Sequence, residues 1–122
     1  MDNRKNILVI DDDKAVRMVL CESCRELGFN VLEAEDGIQG MAVIAKHGFP
    51  DVIVTDIIMP QMGGLETIET IRKMNRDVRI IAISGGCRVG AEDFLDTAKK
   101  IGANMSFQKP INLDDLDEAI AV

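Results

Sequence analysis

Five short apolar runs alternate strictly with five longer segments whose apolar residues recur at helical spacing. That alternation limits the possible folds more than any other feature of the chain. The runs cover residues 6–10, 30–34, 52–55, 79–84 and 105–108. They are too short for helices, and the third and fourth are apolar at nearly every position, the pattern of strands covered on both faces. Strand and helix repeated without a break imply a parallel sheet with right-handed crossovers and helices on both sides. A chain of 122 residues supports one such core and not two. A single domain over residues 1–122, without repeat or linker, is therefore expected.

The intervening segments carry their own start and stop signals. Asp13 can cap a helix running to Leu27, with Val16, Val19, Leu20, Cys24 and Leu27 on its inner face. Gly28 falls where a left-handed helix terminus belongs. The run 30–34 is more polar and suits a sheet edge. Asp36-Gly37 opens a second helix to about His47, with Ile38, Met41, Ala42 and Ala45 inward. A third carries Leu65, Ile68, Ile71 and Met74. A fourth runs from about Ala91 to Ile101, with Phe94, Leu95, Ala98 and Ile101 inward, and ends at Gly102. Asn112 caps the last, with Leu113, Leu116, Ala119 and Ile120 apolar. Gly85-Gly86-Cys87-Arg88-Val89-Gly90 is too glycine-rich to be rigid.

Charge and cysteine content narrow the function classes. Fourteen basic against twenty-one acidic residues give a net charge of −7, which argues against direct nucleic-acid binding. No stretch approaches the roughly 20 apolar residues of a membrane span, and Met1-Asp2-Asn3-Arg4 begins no signal peptide. A cytoplasmic domain without membrane partners is expected. Three cysteines, an odd number, do not form a disulfide framework. Cys21-Glu22-Ser23-Cys24 reads C-x-x-C, but no second pair accompanies it. It reads as structural, with Cys24 on the core stripe and Cys21 nearer the surface. His47 belongs in a last helical turn, where a cation favours the dipole, as a surface residue.

In a sheet of this kind chemistry gathers beyond the carboxyl ends of the strands, at the switch in strand order. Asp11 and Asp12 follow the first strand, Asp56 and Ser84 end the third and fourth, and Lys109 follows the fifth. Three converging carboxylates without counter-charge raise one another's pKa, and a divalent cation resolves the repulsion. An all-oxygen set selects a hard ion, and Mg2+ fits best. A carboxylate held by Mg2+ beside a lysine can attack a phosphoryl group to give an aspartyl phosphate. Lys109 and the Ser84 hydroxyl would steady the equatorial oxygens, and Gly85 leaves room for a donor. Singly, Asp-Asp reads as a helix cap, Lys-Pro as a turn and Ser-Gly-Gly as a loop. Their joint placement at four strand ends carries the inference.

In that order, Ile7-Leu8-Val9-Ile10-Asp11-Asp12-Asp13, Asp51-Val52-Ile53-Val54-Thr55-Asp56-Ile57-Ile58-Met59-Pro60, Ile83-Ser84-Gly85 and Lys109-Pro110 resemble the receiver domain of two-component response regulators. The likeness runs from Ile7 to about Ala121. It implies a flavodoxin-like (βα)5 fold with strand order 2-1-3-4-5, and a phosphorylation-dependent switch rather than an enzyme. On that likeness Asp56 is the phosphoacceptor. Asp12 and Asp56 bind Mg2+ directly, the Ile58 backbone carbonyl is a third ligand, and Asp11 acts largely through water. Lys109 pairs with the phosphoryl group, Ser84 swings in to hydrogen-bond it, and Lys109–Pro110 is cis. The implied partners are a histidine kinase or phosphotransfer protein, and a downstream output protein or fused effector domain. A changed surface on helix four, strand five and helix five would reach the output, and the family also admits a homodimer through helices four and five. No effector domain is expected within 1–122.

Three positions depart from the family pattern. Ser106 stands where an aromatic is usual, three residues before Lys109, and Phe107 should point to the opposite face. Gly85-Gly86 loosens the loop after strand four, so order–disorder could replace rotamer switching there. Ile58 stands two residues after Asp56, where a polar side chain could place an attacking water, so slow autodephosphorylation is expected. Two other readings compete. A non-phosphorylated pseudo-receiver acting as an interaction module would lack Mg2+ binding. A small Mg2+-dependent phosphatase needs a second acid at the Ile58 position, and a cap over its substrate.

Overall fold

Successive residues of a strand face opposite sides, so an apolar run of five buries both sides only if helices cover both. The computed structural model, which describes residues 4–59, 61–84 and 91–121 with 91–95 as backbone alone, has that layering. The elements are β1 (Asn6–Ile10), α1 (Lys14–Glu26), β2 (Asn30–Ala34), α2 (Gly37–His47), β3 (Val52–Asp56), α3 (Gly64–Met74), β4 (Arg79–Ser84), α4 (Ala91–Ile101), β5 (Met105–Gln108) and α5 (Leu113–Ile120). All strands are parallel, in the order β2-β1-β3-β4-β5. This is the flavodoxin-like (βα)5 arrangement. β3 is one residue longer than the apolar run suggests, and Asp56 pairs with Ile83 of β4 as its last member.

Two apolar layers follow from the alternation. Leu8, Ile10, Ile53, Ile80 and Ala82 face Ile44 of α2, Ile68 and Ile71 of α3 and Ala98 of α4. Ile7, Val9, Val52, Val54, Ile81 and Ile83 face Leu20, Cys21 and Cys24 of α1 and Leu116, Ala119 and Ile120 of α5. Edge strands β2 and β5 are only partly buried. Phe107 packs on the α1 and α5 side, opposite Ser106, as the alternation demands. Asp13, Asp36 and Asn112 cap α1, α2 and α5 with side-chain acceptors, and Gly28 ends the α1 turn at φ 93°. His47 is exposed in the last turn of α2.

The helix rotations differ from the hydrophobic pattern in specific ways. In α1 the buried residues are Arg17, Leu20, Cys21, Ser23 and Cys24, whereas Val19 and Leu27 are exposed. Cys21 is therefore a core residue, not a surface one. The helix is turned by about one residue because the Arg17 side chain is drawn inward by polar partners. In α2 the buried residues are Gly37, Gly40 and Ile44, with Met41 and Val43 partly packed and Ile38, Ala42 and Ala45 exposed. Here backbone meets sheet: a Cβ at Gly40 would come 2.6 Å from Ile10 Cδ1. A glycine carries no hydrophobic weight, so a pattern search turns this helix the wrong way. Met74 and Leu113 are likewise exposed at the ends of their helices. The orientations expected for Phe94 and Leu95, and the freedom expected of the 85–90 loop, lie outside the described residues.

Candidate functional site

From β1 the chain crosses to β2 on one side, and β3 lies on the other, which opens a crevice between the carboxyl ends of β1 and β3. Asp11 follows β1 directly and is fully buried. Its N–H donates to the Ala34 carbonyl at 3.1 Å, and its Oδ1 accepts the Asp13 N–H at 2.9 Å. Asp12, next in the chain, is exposed at the mouth. Asp56 ends β3 with a side chain only 6% exposed. Its Oδ1 accepts the Ile57 N–H at 2.8 Å, and its carbonyl accepts the Thr55 hydroxyl at 2.9 Å.

Lys109, just past β5, reaches across to both buried acids. Its Nζ lies 2.9 Å from Asp11 Oδ2 and 3.1 Å from Asp56 Oδ2. Its own N–H donates to the Ser84 carbonyl at 2.7 Å, fixing it to the end of β4. The Lys109–Pro110 bond is cis. Burial pushes the Asp56 carboxyl up to about 6, against the lowering charge of Lys109 and with a further push from Asp11. Burial alone would lower the Lys109 ammonium. The contacts with Asp11 and Asp56 outweigh it, and the net direction is upward.

One oxygen from each of Asp11, Asp12 and Asp56 lies within 4.8 Å of the other two, a spacing that a single cation can bridge. Among the described residues, three formal negative charges face one close lysine, so the cluster is under-compensated there. Asp11 Oδ2, although close to Lys109, has no aligned hydrogen bond among the described residues, and neither does the buried Ser84 Oγ. Two enclosed polar atoms without such a bond mark a place for a further ligand. An all-oxygen donor set of this size suits a small hard cation, and Mg2+ fits it. The loop after β3 continues the site. The Ile57 carbonyl is already engaged by the Gly64 N–H at 2.7 Å, and the Ile58 side chain points to solvent, 57% exposed.

Of the residues singled out from sequence, Asp11, Asp12, Asp56 and Lys109 thus form one contiguous cluster. Ser84 ends the neighbouring strand, and Ile58 sits on the adjoining loop. Two further residues belong here that motif spacing passes over. A Cβ at Gly64 would run into the Asp56 carbonyl and lie 2.6 Å from Ile57 Cα, so only glycine lets α3 begin beneath the acceptor. Arg17, from α1, donates through Nη1 to the Asp11 carbonyl at 2.7 Å. An arginine in a helix otherwise reads as a solvated charge, so nothing local announces it.

Known proteins resemble this chain in sequence and in fold. Sporulation initiation phosphotransferase F of Bacillus subtilis (strain 168) is 28% identical over 120 residues, covering 98% of this chain and 93% of that protein. Response regulator MprA of Mycobacterium sp. (strain KMS) is 36% identical over 98 residues, covering 73% of this chain and 42% of MprA. The chain thus spans nearly the whole of the first relative and under half of the second. The receiver domain protein (CheY-like) of Methanospirillum hungatei JF-1 superposes with a TM-score of 0.85 at 28% identity, covering 98% of this chain and 92% of that one. The family model for the response regulator receiver domain matches residues 7–121. An acidic cluster at the β1–β3 crevice, a lysine after β5, and a match over nearly the whole length lead to one assignment: the chain belongs to the response regulator receiver domain family of two-component systems.

Proposed function

We propose that this domain is a phosphorylation-dependent switch that takes a phosphoryl group onto Asp56 from a histidine kinase or phosphotransfer protein. The observation that carries the reading is the Lys109 ammonium, 2.9 and 3.1 Å from two carboxylates that share a 4.8 Å cluster with a third. Mg2+, held by Asp12, Asp56 and the Ile58 carbonyl with Asp11 acting through water, would neutralise charge on the transferring phosphoryl oxygens. An Asp56 carboxylate oxygen attacks the phosphorus of a phosphohistidine. The N–P bond breaks with its electron pair leaving on the imidazole, and an O–P bond forms to give an acyl phosphate. Lys109 then exchanges its contact with Asp56 for one with a phosphoryl oxygen. The Ser84 hydroxyl, buried and without a partner among the described residues, turns to donate to another.

Moving Ser84 and Lys109 onto the phosphoryl group pulls on the ends of β4 and β5, and so shifts the population of surfaces on α4, β5 and α5 that an output protein or effector domain reads. Ser106 offers no ring to swing in that step, and Phe107 is packed on the other side of the sheet. The strand ends themselves therefore transmit the change. The acidic balance of −7 favours a positively charged partner surface. Among the described residues no helix is long and apolar enough to cross a membrane.

The test is intact-protein mass after incubation with acetyl phosphate and Mg2+, beside an Asp56→Asn control. One added phosphoryl group in the parent alone supports the reading. A gain in both places the chemistry on another residue. No phosphoryl uptake from acetyl phosphate or a phosphotransfer protein, together with missing Mg2+ binding, would favour an interaction module.

A further inference from the structure

Arg17 is buried, its side chain only 9% exposed, and the phosphoryl chemistry just described does not use it. Its guanidinium forks. Nη1 donates to the Asp11 carbonyl at 2.7 Å, a buried bond, and Nε donates to Glu33 Oε1 at 2.9 Å. Glu33 lies on β2, half exposed, with Arg25 a further 3.9 Å contact. The β1–β2 register ends at Ile10 and Ala34 and the β1–β3 register at Ile10 and Thr55. Asp11 has therefore left both ladders, and its carbonyl has no strand to donate to it. With Arg17 in place the backbone of Asp11 is fully engaged, its N–H by Ala34 and its carbonyl by Arg17, while Oδ1 accepts from Asp13 and Oδ2 lies 2.9 Å from Lys109 without an aligned hydrogen bond among the described residues.

We propose that Arg17 is a positioning residue of the cation site. It acts through the Asp11 carbonyl, locking the peptide that joins Asp11 to Asp12 so that both carboxylates open toward Asp56. This rests on the metal-site reading above. The guanidinium also brings a second buried positive charge to the backbone of a cluster otherwise opposed only by Lys109 among the described close contacts. A neutral donor could satisfy the carbonyl but could not supply that charge. A lysine could supply the charge but, as a single point donor, could not hold the Asp11 carbonyl and Glu33 together. The competing role is purely architectural, a tie between α1 and β2 through Glu33. The two roles are separable because the fork has two prongs.

The test is calorimetric Mg2+ titration of the parent, Arg17→Met, Arg17→Lys and Glu33→Gln, with urea unfolding of each. Glu33→Gln weakens only the architectural prong, by removing the charge of its acceptor, so its Mg2+ affinity should stay within about twofold of the parent while its stability falls. Arg17→Met should lose about tenfold or more in Mg2+ affinity, as outer-shell partners of metal ligands do. Arg17→Lys should fall between, near threefold by the same scale. In the metal-free proteins the Asp11 and Asp13 amides should exchange faster in Arg17→Met than in Glu33→Gln. A folded Arg17→Met with the parent's affinity would overturn the proposal. So would equal losses in Arg17→Met and Glu33→Gln. Should Arg17→Met not fold, equal affinities in Arg17→Lys and Glu33→Gln would overturn it instead. A parent that binds no Mg2+ would sink the metal-site reading itself, and the positioning role with it.

Discussion

Burial of its carboxyl should make Asp56 destabilising in the metal-free fold, and replacing it with asparagine tests this. Moving a carboxyl from its ordinary 3.8 up to about 6 corresponds to about 3 kcal/mol of unfavourable ionisation at neutral pH, at 1.36 kcal/mol per pH unit. Solvent reaches the mouth of the crevice beside exposed Asp12, and screening there reduces the effective figure by about half. Asparagine keeps an acceptor for the Ile57 N–H. It loses the Lys109 hydrogen bond, but Lys109 retains Asp11 at 2.9 Å. The metal-free Asp56→Asn variant is therefore expected to be about 1–2 kcal/mol more stable than the parent at neutral pH.

The sign of the pH dependence follows from the raised value. Between about 4 and 6 the folded domain holds a proton on Asp56 that the unfolded chain releases. The parent consequently loses stability as pH rises through that window, whereas the variant has nothing to titrate there. The gap between them should be near zero below the lower limit, open across the window and level off above it. Urea melts in chelator followed by far-UV circular dichroism measure it, since the chain has no Trp or Tyr. Added Mg2+ should reverse the order: at 100 times its Kd a ligand that binds only the folded state adds about 2.7 kcal/mol. A variant no more stable than the parent in chelator, or a gap that persists on acidification, would refute the argument.

Three further outcomes are expected. Gly64→Ala forces a Cβ against the Asp56 carbonyl; it should cost about 2–3 kcal/mol in urea unfolding and slow phosphoryl uptake, and an unchanged midpoint would show that α3 can move aside freely. Burial raises the Cys21 thiol to about 11 and the Cys24 thiol to about 12; with Cys87 replaced by serine, the folded protein should react with a disulfide reagent at least about a hundredfold more slowly than a free thiol, and rapid labelling without unfolding would contradict the burial. Ile58 offers no hydrogen bond to an incoming water, so the phosphorylated domain should hold its phosphoryl group for minutes or longer, and Ile58→Asn should shorten that about tenfold; reversion of the parent within seconds, with no phosphatase present, would count against it.

Much of the site was legible because its parts are anchored to strand ends. Each of Asp11, Asp56, Ser84 and Lys109 follows an apolar run, and in a parallel sheet those runs all end on the same edge. The caps at Asp13, Asp36 and Asn112 were legible for the same local reason, since a cap bonds residues two or three positions on. Arg17 and Gly64 were not. Arg17 matters through the Asp11 carbonyl and through Glu33, 16 residues away. Gly64 matters through the Cβ it lacks.

The chain by itself determined the number, type and order of the elements, and the edge on which the acids and the lysine stand. Periodicity, caps and strand-end polar residues are local properties, written in consecutive positions. The order β2-β1-β3-β4-β5 is absent from that pattern, because an apolar strand does not name its neighbour; only the family likeness anticipated it. Tertiary structure alone decided how α1 and α2 are turned against the sheet. It buried Cys21 and brought the α2 backbone at Gly40 within reach of Ile10. It also set the charge balance of the crevice: the elevation of Asp56 depends on how completely the packed sheet excludes water from a carboxylate and how near it leaves Lys109 and Asp11. Those are distances between parts of the chain far apart in sequence, and only packing sets them.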